Sequence, residues 1–488
     1  MGAPPHRRST SPTPFTTITW VVQTLLVNRL PGFRDGIWVS PALTVRTRPC
    51  SPMGRPGGYS EAEPWPNPPS AGWYRSAGMD GGPDPTRILE DLLAGGPIDA
   101  ADAASDWAGS GAMALTGPAD GPPRQAPASI VDVMCLMAEN YEAFGGDPTD
   151  GPALLGERAA LAGMGRHGST SVGGNAYLME AGDGLVCMNL ARPDDMAALP
   201  ALLGAGVDPT DRHSIERLVR SLPSAELVER ADLLGMPLGV PGTAPTLPAV
   251  MTTGGTSSHC SDRPLVVELG SLWAAPLCGD LLRRAGCRVV KVESRSRPDG
   301  ARNGPAAFFD LLNGGKESVV VDPSVAAGIE TVQWLVAAAD VVVESSRPRV
   351  MDQWGVDVEA MVDAGTVWTS ITGYGRSGPR SSGVAFGDDA AVSGGLLLEG
   401  PPGFVADAVA DPATGLLSAV LTLAALGSGR GHLVDVSLAG TARWMAGDGR
   451  VVGTANAGEV SAPRARRVGP RAAELGEDTG AVMAGLGS

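Results

Sequence analysis

The stretch from 384 to 415, VAFGDDAAVSGGLLLEGPPGFVADAVADPATG, holds the residues with the clearest capacity for chemistry, Asp388, Asp389 and Asp411. A carboxylate in a dry pocket is a fair nucleophile, and it can split a group transfer into easier covalent steps. The same residues also have an ordinary explanation. Asp388 can cap a helix that starts at Asp389. Asp411, followed by Pro412, reads equally as a helix N-cap with proline in the first helical position. Ser393-Gly394-Gly395 is either a plain turn or a set of backbone N–H groups suited to a developing oxyanion.

The cations form a second constellation. The chain carries a formal charge of −16, yet Lys291, Arg295, Arg297 and Arg302 fall within a dozen residues of one another. Lys291 and Lys316 are the only lysines in the sequence. Arginine forks grip phosphate bidentately and lysine offers a point charge. An acidic chain lacks the basic field that nucleic acid requires, but a local basic pocket for a phosphorylated small molecule is compatible with it. The six cysteines show no CxxC and no Cys/His spacing of a zinc site. They read as free thiols in a reducing cytoplasm.

At 488 residues the chain is longer than one typical domain. Residues 1–78 carry eight arginines and three acidic residues, whereas the remainder has 29 cations against 50 anions. This opening reads as disordered or as a wrongly assigned start, with Met79 the expected beginning. Its apolar run at 18–27 is too short to span a membrane, and no clear cleavage site follows it.

The elements that must position the aspartates and cations can be read from the patterning. Helices are expected at 87–93, 129–144 and 225–234. The stretch TTGGTSSHCSD at 252–262 reads as a linker. Beyond it, LVVEL, RVVKVE, SVVVD and DVVVE alternate with helical segments. Continuous Val-rich strands between helices predict an α/β fold with a parallel, Rossmann-like sheet covered on both faces. Such sheets bind ligands at the carboxyl ends of their strands. The first strand–helix turn is GSLWAAP, so the dinucleotide fingerprint is absent. An echo between AGSGAMALTG (108–117) and AVSGGLLLEG (391–400) hints at two related halves.

PLVVELGSLWAAPLCGDLLRRAGCRVVKVE, RNGPAAFFDLLNGGKESVVVD, ADVVVESSRPRVMDQWGV, TSITGYGRSGP and GRGHLVDVSL, taken in order, resemble the family III CoA-transferases. That family includes formyl-CoA transferase, carnitine CoA-transferase and α-methylacyl-CoA racemase. AGDGLVCMNLARPDDMAALPALLG and SAELVERADLLGMPLGVPG resemble the family's small α+β domain, which normally follows the large one. The resemblance implies a permuted or fused arrangement. In it, 79–250 is a partial large-domain segment plus the small domain, 251–263 a linker, 264–450 the CoA-binding large domain and 451–488 the family's tail.

The resemblance also implies a reaction. CoA would move between carboxylic acids through an aspartyl intermediate, with acyl-CoA as substrate, no permanently bound cofactor, no metal, and no nucleic-acid or membrane partner. The assembly would be a homodimer, as members of that family form interlocked dimers. The loop at 384–396 takes the place of the family's catalytic loop, which makes Asp388 and Asp389 candidates and assigns Gly394 and Gly395 to the oxyanion. The register is displaced, because the family's aspartate falls on Phe386 or Gly387. Lys291, Arg295, Arg302, Lys316 and Arg347 become the candidate ligands of the CoA phosphates. Asp411 matches an acid/base of the racemase branch, but the partner histidine is missing beside Phe386. A catalytically silent CoA-binding paralog, or less favourably a racemase, is the alternative.

Overall fold

The structure is a computed structural model that describes residues 83–95, 103–127, 129–257, 262–398, 400–447, 449 and 459–486. The expected N-terminal extension, Met79, Cys50 and Cys260 lie outside these residues.

The chain first builds a small α+β lobe. Strands β1 (Ala176–Glu180), β2 (Leu185–Asn189) and β3 (Leu238–Gly239) form an antiparallel sheet in that order. Helices Pro193–Leu203, Arg212–Arg220 and Ser224–Leu234 cover it, closing a core of Val186, Met188, Leu199, Leu202, Ile215 and Leu227. Gly235 ends the last helix at φ 67°, the left-handed cap that glycine accepts without a Cβ clash.

A seven-stranded sheet follows. Its strands are β4 (Ala249–Thr256), β5 (Leu265–Leu269), β6 (Arg288–Ser294), β7 (Glu317–Val321), β8 (Val341–Glu344), β9 (Val367–Thr372) and β12 (Arg430–Ser437). The short β10 (Leu397–Leu398) and β11 (Gly403–Phe404) pair separately. The order is β4-β12-β9-β8-β5-β6-β7, and every pairing is parallel except β4 with β12. The α/β architecture expected from the Val-rich runs is therefore present. The chain leaves β5 in one direction through β6 and β7, then returns to β8 on its other side. That reversal opens a crevice at the carboxyl ends of the strands.

Strand β4 corrects the reading of 252–262 as a linker, since its residues are paired with β12 as far as Thr256. The glycines that looked like turn residues serve close packing instead. A Cβ on Gly254 would lie 2.3 Å from the Val362 carbonyl oxygen, and one on Gly255 2.0 Å from that of Asp363.

Five helices place the remaining groups: α1 (Ser129–Ala143), α2 (Ala274–Arg284), α3 (Gly387–Gly394), α4 (Ala410–Gly427) and α5 (Leu438–Ala446). Among the described residues α4 alone is long and apolar enough to cross a membrane, and 89% of it is buried inside the protein. One face of the sheet carries α2, α4 and α1 in a continuous core. The other carries helix Ala326–Ala337 with Val332, Leu335, Trp368 and Val482.

Segments far apart in sequence close on one another. Tyr141 Oη donates to the Leu281 carbonyl at 2.8 Å, and Ser129 Oγ to that of Met445 at 2.5 Å. Arg466, near the C-terminus, joins Glu157 at 2.6 Å and Asp280 at 3.0 Å. Asp478 and Thr479 accept from Ser318 and Val320 and so cover the open edge of β7. The sequence echo does not repeat as structure. Residues 112–115 form a 3-10 turn, whereas 397–398 form a strand.

Candidate functional site

Helix α3 begins where the sequence placed its acidic pair, but neither aspartate is the N-cap. Phe386 occupies that position, and Asp389, in the first turn, accepts the Phe386 N–H at 3.0 Å. The two side chains then diverge, as adjacent helical residues must. Asp389 is 0% exposed and turns toward the small lobe, where Asn189 Nδ2 donates to its Oδ1 at 3.0 Å. Its Oδ2 has no hydrogen-bond partner among the described residues. Burial pushes this carboxyl up to about 8, against the pull of the Phe386 N–H and Asn189.

Asp388 points the other way and is 8% exposed. Its Oδ1 accepts the Ala408 N–H at 3.1 Å, and the Ser171 hydroxyl also bonds to the carboxylate. Burial pushes Asp388 up to about 6, reinforced by Asp407 and opposed by Arg158. Asp411 joins it. The residue lies within the first turn of α4 instead of capping it, and its Oδ2 accepts the Gly387 N–H at 3.2 Å. This occupies one of the N–H groups that a helix start leaves without an internal partner. Burial raises Asp411 to about 7, with Arg158 pulling down and Asp388 pushing up. Asp411 is half-buried, so it and Asp388 both reach solvent-accessible space.

Arg158 is the counter-ion of this cluster. Its Nε and Nη2 grip the fully buried Asp407 at 2.9 and 2.5 Å, a bidentate pair. The guanidinium lies 5.0 Å over the ring of Trp273, from the GSLWAAP turn. Burial would discharge Arg158, but Asp407, helped by Asp388 and Asp411, holds it charged. Sequence reading missed Arg158, Asp407 and Trp273. The four-residue spacing of Asp407 and Asp411 was a visible signal, whereas nothing in ERAALAGMG marks Arg158.

Gly394 and Gly395 do not gather at the aspartates. They close the far end of α3, about 10 Å along the axis from Asp388 at 1.5 Å per residue. A Cβ on Gly394 would meet the Arg443 nitrogen at 2.5 Å, and Gly395 takes φ 93° as the helix cap with its N–H bonded to Val392. Packing and helix termination explain them, which corrects the oxyanion assignment.

The phosphate-ligand assignment also changes. Lys291 is buried between Glu268 and Asp299, each at 2.9 Å. Lys316 donates to Glu268 at 2.7 Å and to the Pro276 carbonyl at 2.8 Å. Burial lowers Lys316, while Lys291, equally buried, is raised because Asp299 adds to Glu268. Both lysines are spent inside the protein, as buried charges must be. Arg302 is clamped on Glu293 at 2.6 Å and stacks over Phe309. Arg295 stands exposed beside Asp322.

Arg347 differs from these. Its charge is disfavoured by burial and then by Arg349, Arg192 and Arg297, an assembly of like charges. Arg192 comes from the small lobe, where it is held by Asp195. A small cleft of about 120 Å³ opens beside this group at the sheet crevice, lined by Gly270, Ser294, Arg297, Ser346 and Trp354 among others.

Residues 264–473 match the family described as CoA-transferase family III. This segment belongs to CoA-transferase family III. It contains α3, α4 and the Arg347 group, whereas Arg158, Asn189 and Arg192 lie outside it. A succinyl-CoA–D-citramalate CoA-transferase of Chloroflexus aurantiacus is 29% identical over 204 residues, 37% of this chain and 51% of that protein. A succinate–glutarate CoA-transferase of Agrobacterium fabrum is 32% identical over 199 residues, 36% of this chain and 49% of that one. A solved CAIB/BAIF family protein from Brucella suis is 30% identical across 40% of this chain and 56% of its own, with a TM-score of 0.36. The chain spans roughly half the length of the curated relatives it matches.

Proposed function

We propose that this protein transfers CoA between carboxylic acids, with Asp388 as the attacking carboxylate. The carrying observation is that Asp388 reaches solvent-accessible space in a family III segment while a backbone N–H fixes one of its oxygens. Its other oxygen attacks the thioester carbonyl and expels CoA thiolate, leaving an aspartyl–acyl anhydride. The thiolate returns to the aspartyl carbonyl and releases the first acid. The acceptor carboxylate then attacks the aspartyl thioester, and the expelled thiolate attacks the acceptor's carbonyl to regenerate Asp388. Each covalent step is smaller than direct exchange.

The nucleotide end of CoA would approach at the sheet crevice, where Arg297 lines the cleft and Arg347 and Arg349 stand close to it as the cations for its phosphates. Arg158 belongs to residues 79–250 and meets the aspartates within the same chain, which supports a family unit completed by permuted halves. Cys187 and Cys278 are buried thiols, in keeping with a reducing, cytoplasmic setting.

The second reading, a silent CoA-binding paralog, is favoured by Phe386. It stands where the family's aspartate falls, and Arg192 lies 5.3 Å over its ring. Incubation with an acyl-CoA and an isotopically labelled acceptor acid separates the two. Label entering the thioester pool, and lost in Asp388→Asn, supports transfer. Acyl-CoA binding without exchange supports the silent paralog.

A further inference from the structure

The turn at 406–408 is strained. Ala406 and Ala408 take φ 54° and 44°, a left-handed backbone that residues with a Cβ rarely adopt. Strain of this kind persists only where the surroundings over-determine it. Here both restraints come from the first half of the chain. Thr116 Oγ1 accepts the Ala406 N–H at 2.9 Å while donating to the Ala112 carbonyl at 2.9 Å. Arg158 clamps the intervening Asp407 through two bonds. The product of the strain is specific, because Ala408 N–H is thereby aimed at Asp388 Oδ1, 3.1 Å away. Gly387 lets the turn come this close. A Cβ there would lie 2.4 Å from the Ala408 carbonyl oxygen and 2.5 Å from Asp411 Oδ2.

We infer that Thr116 and Arg158 are positioning residues for Asp388, holding the strained 406–408 turn so that its Ala408 N–H orients the carboxylate. The catalytic meaning of this arrangement rests on the transferase reading above, but the arrangement itself does not. Thr116 is the informative probe, because it carries no charge and is 0% exposed. Thr116→Val keeps the shape and every ionised group while removing the acceptor for Ala406, whereas Thr116→Ser retains it.

The test is a carboxyl-carbon NMR titration of the full chain with aspartate labelled at its side-chain carbonyl, the Asp388 signal being assigned by its loss in Asp388→Asn. Amide exchange at Ala408 is measured in parallel. In Thr116→Val the Asp388 midpoint rises by about one pH unit, the scale of a lost hydrogen bond to an ionised group. Ala408 exchange accelerates about tenfold as the turn opens locally, and Thr116→Ser restores both values. An unchanged Asp388 midpoint and unchanged Ala408 exchange in Thr116→Val would overturn the inference. If Thr116→Val does not fold, Arg158→Lys takes its place. A charge-retaining clamp of poorer geometry must then accelerate Ala408 exchange, and failure to do so overturns the inference equally. These shifts in Thr116→Val, together with a wild type that exchanges no CoA, remove the transferase reading and leave the positioning intact.

Discussion

Replacing Arg158 with methionine tests the electrostatic frame of the site. The substitution leaves Asp407, 0% exposed, without its bidentate partner. Breaking a buried pair by removing one member costs about 3–5 kcal/mol, because the remaining charge is uncompensated. For a body of this size that corresponds to a fall of roughly 4–6 °C in Tm. The double variant Arg158→Met/Asp407→Asn removes both charges and recovers most of the loss, so the two single effects are strongly non-additive. Denaturant unfolding of the wild type, both single variants and the double variant closes the cycle. A cost below about 1 kcal/mol for Arg158→Met, the size of an exposed pair, or simple additivity in the double variant, would refute the reasoning.

Four further outcomes follow from the geometry. Arg347→Ala weakens CoA binding about 10–100-fold, on the scale of one lost charge-assisted contact, whereas Lys316→Met lowers stability by about 1.5–3 kcal/mol, because Glu268 keeps Lys291 but loses one of its two buried cations; calorimetry and unfolding separate the two. Asp388, Asp411 and Asp389 hold their protons to about 6, 7 and 8 in the folded state, against about 4 in an unfolded chain. Stability from these groups is therefore fullest below about pH 4 and declines as pH rises toward 8; Asp389→Asn flattens the upper part of that decline in a series of Tm measurements. Gly254→Ala, whose Cβ would press on the Val362 carbonyl at 2.3 Å, loosens the β4 edge and lowers Tm by several degrees, an effect of overpacking.

The parallel sheet was legible because its strands are buried on both faces and therefore read as unbroken Val runs. The helix at Ser129–Ala143 and the Gly235 cap were legible for similarly local reasons. Strand β4 was not, because its glycines answer to the carbonyls of a distant helix and look, in sequence, like turn formers. The two lysines drew notice through their rarity, but charge alone does not say whether a cation faces a ligand or a buried Glu268. Asp388, Asp389 and Asp411 were found by residue type. Arg158, Thr116 and Asn189, which shape the surroundings of those aspartates, come from positions some 200 or more residues away, and only the fold joins them. The register slip that made Phe386 look out of place gains a partial account. Phe386 caps α3, and Asp388 turns from it toward Ala408.

The central claim is that Asp388 carries the acyl or CoA group. Acyl-CoA is added to the full-length protein with hydroxylamine, and peptides covering 376–443 are read by mass spectrometry. The account predicts a hydroxamate on Asp388 that depends on acyl-CoA and disappears in Asp388→Asn. Its absence from Asp388 in a protein shown to bind the same acyl-CoA, or its appearance on Asp411 instead, would contradict the account.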